Sequence, residues 1–144
     1  MTPDVNVLVA ASRSDHPHHG VARDWLEAAL DDAAKGSGLL LLPMVVASFL
    51  RLVTHRKVFV MPTPIADAVT FIDALLAAPG VRMPQIGSEW PRLRALCLDM
   101  GLRANDLPDA WLAAAVRELG DQLATFDRDF RKLLKRAELT LLTV

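Results

Sequence analysis

Short apolar runs alternate with longer amphipathic ones along this chain, and no other feature limits the fold as much. The runs DVNVLVA (4–10), LLLLP (39–43), GVRMPQI (80–86), QLATF (122–126) and ELTLLTV (138–144) read as strands. Pro84 marks the third as an edge strand, because proline cannot donate to a ladder. Helical patterns fill the intervals. Val21, Ala22, Trp25, Leu26, Ala29 and Leu30 recur at helical spacing behind an entry at Asp15–His19, and Gly36 and Gly38 end that helix. Pro43 starts a second helix with a wide apolar face. Thr63 caps a third, with Pro64 in its first turn and Pro79-Gly80 as its stop. Ser88 opens a fourth, closed by Gly101, and Asp106 caps a fifth. DRDFRKLLKRA reads as a short basic helix. Strands joined by helices predict one domain over residues 1–144, a three-layer α/β/α fold with a central, mainly parallel sheet.

Composition narrows the function classes. Apolar residues make up 52% of the chain, which excludes disorder. A net charge of −1 means that any anion-binding surface must be local. The single cysteine, Cys97, sits between leucines and reads as a small buried hydrophobe; a disulfide framework or zinc finger is excluded. The N-terminus has no basic segment, and the run Leu39–Leu50 is broken by Pro43 and shorter than the ~20 residues of a membrane span. The expectation is a soluble, cytoplasmic protein with no membrane segment.

Acidic residues gather where a parallel sheet presents its ligands, at the carboxyl ends of strands and the starts of the following helices. Asp106 and Asp109 open one helix, Asp127 and Asp129 follow the strand LATF, and Asp4 begins the first apolar run. Each has a local alternative: Asp4 solvates a strand start, and the two pairs cap helices. Together they form a candidate cluster of hard oxygen ligands without Cys, which suits Mg²⁺ or Mn²⁺. Arg128, Arg131, Lys132, Lys135 and Arg136 follow the acids and suit a polyanion, or simply form a solvated face. Arg51, the one charge within an apolar helix, needs a carboxylate or phosphate partner. His16, His18 and His19 read as a solvated helix entry. A phosphoaspartyl receiver would need an acid pair at the first strand, and only Asp4 is there.

The order Asp4-x-Asn6, Phe49-Leu50-Arg51, Asp109-Ala110-x-Leu112-Ala113-Ala114 and Thr125-x-Asp127-x-Asp129-Phe130 resembles the PIN domain, most closely the VapC-type toxins of type II toxin–antitoxin modules. The resemblance spans nearly the whole chain. It implies a metal-dependent endoribonuclease in which Asp4, Asp109 and Asp127 hold Mg²⁺ or Mn²⁺ and Asp129 assists. Asn6 and Thr125 support the site, and Arg51, Arg128, Arg131 and Lys132 contact RNA. It also implies a homodimer and a small VapB-like antitoxin partner. One position departs from the pattern: Ser48 stands where the family usually has a glutamate. One cation is then well served and a second less so. The competing expectation is a catalytically degenerate PIN-like module that binds RNA without cleaving it.

Overall fold

The computed structural model describes residues 1–144. In chain order the elements are β1 (Thr2–Pro3), α1 (Val5–Ser12), α2 (His19–Ala34), β2 (Leu39–Leu40), α3 (Pro43–Val53), α4 (Ile65–Ala77), β3 (Val81–Arg82), α5 (Trp90–Met100), α6 (Asp106–Glu118), β4 (Leu123–Thr125) and β5 (Leu139–Leu141). Two 3₁₀ turns, Arg128–Lys132 and Arg136–Glu138, join β4 to β5.

All the strand pairs are parallel. β1 pairs with β4, Thr2 opposite Leu123, and β4 pairs with β5, Leu123 opposite Leu139. β2 pairs with β3, Leu39 opposite Val81. The Leu40 amide donates to the Met1 carbonyl at 2.9 Å and joins the two sheets edge to edge. The spatial order is therefore β3-β2-β1-β4-β5. The chain turns outward on one side of β1 and later returns on its other side. That reversal leaves a crevice at the carboxyl ends of β1 and β4, where open α/β sheets bind their ligands.

The first apolar run corrects the sequence expectation. Residues 4–10 are not a strand: β1 covers only Thr2–Pro3, and Asp4 caps α1, its carboxylate accepting from the Val5 amide at 2.7 Å. Val7, Leu8, Val9, Ala10 and Ala11 are all buried. A helix covered on nearly every side shows no amphipathic period, so its run of valines mimics a buried strand. The basic segment after Asp127 is likewise two 3₁₀ turns rather than one helix. Ser88 lies before α5, which begins at Trp90. Thr63 is displaced too, since Pro64 occupies the N-cap of α4.

Asp106 is the first residue of α6, behind Asn105 at the N-cap, and the expected strands 39–43 and 80–86 shorten to Leu39–Leu40 and Val81–Arg82. α6 buries Ala110 and Leu112–Val116 and packs against α5. Gly80 has φ +77°, and a Cβ there would stand 2.1 Å from the Ala33 carbonyl oxygen, so only glycine lets β3 pass the end of α2.

Arg13, at the end of α1, anchors the loop between α3 and α4. It is 9% exposed, donates to both Asp15 oxygens, to Thr63 Oγ1 at 3.0 Å and to the Met61 carbonyl at 2.8 Å, and lies 3.8 Å over the Phe59 ring. Arg13→Ala is expected to lower the unfolding free energy by about 2 kcal/mol in a denaturant titration. Arg23→Ala, in an exposed pair with Asp24, is expected to change it by less than about 0.5 kcal/mol.

Candidate metal centre

The crevice between β1 and β4 is built around one hydroxyl. Thr125, fully buried at the end of β4, donates from Oγ1 to Asp4 Oδ2 at 2.7 Å. The same oxygen accepts from the Asp127 amide at 3.0 Å and from Asn6 Nδ2 at 3.1 Å. Asn6 Oδ1 lies 3.4 Å from the Phe126 amide. These bonds fix the start of α1 to the exit of β4, two segments about 120 residues apart in sequence. The fold thus brings Asn6 and Thr125 together with Asp4, the grouping that the sequence pattern suggests.

Asp4 is 6% exposed, and both of its oxygens accept hydrogen bonds. Burial raises its pKa, the bonds from Thr125 and Val5 oppose that rise, and the Asp127 charge adds to it. Asp109, half-buried in the first turn of α6, is pushed up to about 6 by burial first, then by Asp4, Asp127, Asp129 and Asp106 in that order. Five acids from three parts of the chain therefore share one electrostatic environment. None of the chain's ion pairs involves any of them. Asp127 is half-buried and its Oδ1 accepts from the Asp129 amide at 2.8 Å; Asp129 and Asp106 are exposed at the rim.

Two cavities meet at Asp109. The larger, about 680 Å³, has Asp4, Asp109 and Ser48 along it and is otherwise mainly apolar, walled by α3, α5 and α6. Trp90 and Trp111 are exposed beside it, and Cys97 is half-buried in its wall instead of buried in the core. The smaller, about 120 Å³, brings Asp106, Asp109, Asp129 and Lys132 together. Sequence reasoning missed the large groove. None of the apolar residues of α5, Trp90, Leu93, Leu96, Cys97, Leu98 and Met100, is buried.

The cationic residues separate. Lys132 borders the acids, whereas Arg128 and Arg131 are exposed on the turn that follows them. Arg51 is exposed on α3 and makes no ion pair, so it is not the half-buried arginine that its apolar surroundings suggested.

The donors are all oxygens, Asp109 is raised by the four acids around it, and none of the five is held in an ion pair. That chemistry fits a hard divalent cation. The side chains do not form a finished cage: no three His, Cys, Asp or Glu groups converge closely on one point. Asp4 and Asp127 are turned instead toward hydrogen-bond donors.

Comparison with known proteins identifies the family. The family model described as "PIN domain" matches residues 1–135. The chain belongs to the PIN-domain family, in its VapC group. Ribonuclease VapC25 of Mycobacterium tuberculosis is 40% identical over 133 residues, covering 90% of this chain and 89% of the relative. Ribonuclease VapC43 of the same organism is 41% identical over 131 residues, covering 90% and 86%. VapBC2 of Rickettsia felis, solved with a promoter DNA fragment, aligns with a TM-score of 0.66 at 17% identity over 99% of this chain and 98% of that one. VapC20 of M. tuberculosis, described as a sarcin–ricin loop cleaving toxin, aligns with a TM-score of 0.65 at 18% identity over 91% and 92%. Both structures share the fold of this chain.

The electrostatic pressure on Asp109 has a measurable sign. Its pKa rises from an ordinary 3.8 to about 6 on folding, so between these values the native state holds a proton that the unfolded chain has released. In metal-free buffer, stability is expected to fall as pH rises through that window. Asp109→Asn is expected to raise the melting temperature at pH 7 by a few degrees and to flatten the fall. An unchanged melting temperature at pH 7 would contradict the pressure.

Proposed function

We propose that the chain is a divalent-metal-dependent endoribonuclease, the toxin of a toxin–antitoxin pair acting in the cytoplasm. The observation that carries this is Asp109, its pKa pushed up to about 6 by burial and four other acids, none of the five held in an ion pair. Family membership and relatives named as ribonucleases support it.

In this reading Asp4, Asp109 and Asp127 would hold one Mg²⁺ or Mn²⁺. When bound, such a cation supplies Lewis acidity toward a phosphodiester oxygen and makes a water more acidic. The protein's own residues do the rest. Thr125 and Asn6 keep Asp4 in place and set the course of the chain into Asp127. Asp109 and Asp127 would supply the other carboxylates of the ligand set. Asp129, at the solvent rim, accepts the proton of the attacking water. Lys132 approaches from the side of the smaller cavity, and Arg128, Arg131 and Arg51 meet the RNA backbone as it crosses the crevice.

Two exposed apolar surfaces support two protein partners. Val58, Val60, Met61, Ile65 and Val69 form one around the start of α4; Trp90, Leu98, Met100, Leu107 and Trp111 form another over α5 and α6. Exposed apolar area of this kind marks contact surfaces. A second copy of the chain and a small VapB-like antitoxin are the partners proposed.

Ser48 favours a second reading, since it lies in the groove with Asp4 and Asp109 and brings no charge. On that reading the chain binds RNA and does not cleave it. One assay separates the two. Purified protein with RNA and Mn²⁺ is expected to show cleavage that EDTA abolishes, and Asp109→Asn is expected to slow it by at least about a hundredfold. Equal cleavage by the wild type and Asp109→Asn would remove Asp109 from the site. Binding without cleavage by the wild type would select the second reading.

A further inference from the structure

Three histidines precede α2, and the proposed chemistry leaves them unused. They are not a loose helix entry. The His18 amide donates to His16 Nδ1 at 3.0 Å, so that nitrogen is an acceptor. His19 Nδ1 lies 2.9 Å from the Ala10 carbonyl. A carbonyl oxygen only accepts, so Nδ1 carries the hydrogen and ties His19 to α1. His18 makes no capping bond with its side chain. Its ring instead faces Phe126, with centroids 4.8 Å apart and planes at 42°, and His16 supports it edge-on at 5.5 Å. Both His18 and Phe126 are half-buried, so each ring keeps part of its surface in contact with solvent.

The position of this pair gives it a role. Phe126 follows Thr125, whose hydroxyl holds Asp4, and precedes Asp127. Consecutive Cα atoms are about 3.8 Å apart, so the aromatic pair stands one residue from two of the site's anchors, Thr125 and Asp127. Arg128, exposed, comes next. A ring, an acid and a cation thus follow one another in Phe126-Asp127-Arg128 at the exit of β4. A nucleotide chain carries a flat base beside each phosphate, and base–aromatic stacking tolerates any base.

We propose that His18 and Phe126 form an aromatic platform that receives a nucleobase of single-stranded RNA beside the phosphate bound at the acids. The proposal rests on the ribonuclease reading but is tested through binding alone. In an Asp109→Asn background, fluorescence anisotropy with a labelled single-stranded oligoribonucleotide reads affinity without turnover. His18→Ala is expected to weaken binding on the order of tenfold, and His18→Phe to retain it. An abasic oligomer of the same length is expected to bind equally to protein with and without the His18→Ala substitution, because it has no base to stack. Unchanged affinity in His18→Ala overturns the platform. So does a His18→Phe variant as weak as His18→Ala, which would assign the imidazole a charge or hydrogen-bonding role, or an equal loss with the abasic oligomer. Wild-type cleavage is scored separately. Protein that binds in the expected pattern yet cleaves no RNA keeps the platform and loses the ribonuclease reading; protein that cleaves, with binding indifferent to His18→Ala, does the reverse.

Discussion

The hydrogen bond from Thr125 to Asp4 holds the crevice together. It closes the carboxyl ends of two parallel strands that are only two and three residues long. Strands so short carry few ladder bonds. The side chains just beyond them must therefore do part of the joining. Thr125 is suited to that task because one hydroxyl donates to Asp4 while accepting from the Asp127 amide and the Asn6 side chain. Removing the hydroxyl would leave a carboxylate that is 6% exposed without its shortest partner from β4. The fold positions the site through this contact, and the site in turn secures the centre of the sheet.

The acids placed there work against the stability of the metal-free fold. Asp109 feels four neighbours of its own sign as well as partial burial, and no arginine or lysine is paired with any of them. Structural carboxylates elsewhere in the chain are treated differently. Glu138 is held below its ordinary pKa by Arg117, although burial acts the other way. Asp15 is likewise held low by Arg13. Glu138 and Asp15 thus have cationic partners, whereas none of the acids facing the crevice is held in an ion pair. A cluster kept at this cost is where departures from local stability rules point to function.

Much of this was legible in the sequence. The helices of residues 19–34, 43–53 and 106–118 follow from apolar spacing and from proline or acidic starts, and the order of acids along the chain follows from the strand–helix alternation. What was not legible has physical causes. α1 is buried on most of its surface, so its valines carry no helical period and imitate a strand. The residues after Asp127 have helical composition, but Asp127 caps a 3₁₀ turn that is followed by a second one. Arg51 looked half-buried because its sequence neighbours are apolar, yet it occupies the outer face of α3. The groove beside Asp4 and Asp109 needs α3, α5 and α6 together, and no local pattern announces such a surface. His18 and Phe126 are far apart in sequence, so their contact is visible only in the fold.

The central claim is that Asp4, Asp109 and Asp127 jointly hold a hard divalent cation. Crystals grown with saturating Mn²⁺ and measured at the manganese absorption edge test it without reference to activity. One strong anomalous peak is expected in the crevice, within about 2.0–2.3 Å of an oxygen from each of the three carboxylates, as for small hard cations generally. A peak bound elsewhere, or an empty crevice at saturating Mn²⁺ with these side chains still turned to their hydrogen-bond donors, would contradict it.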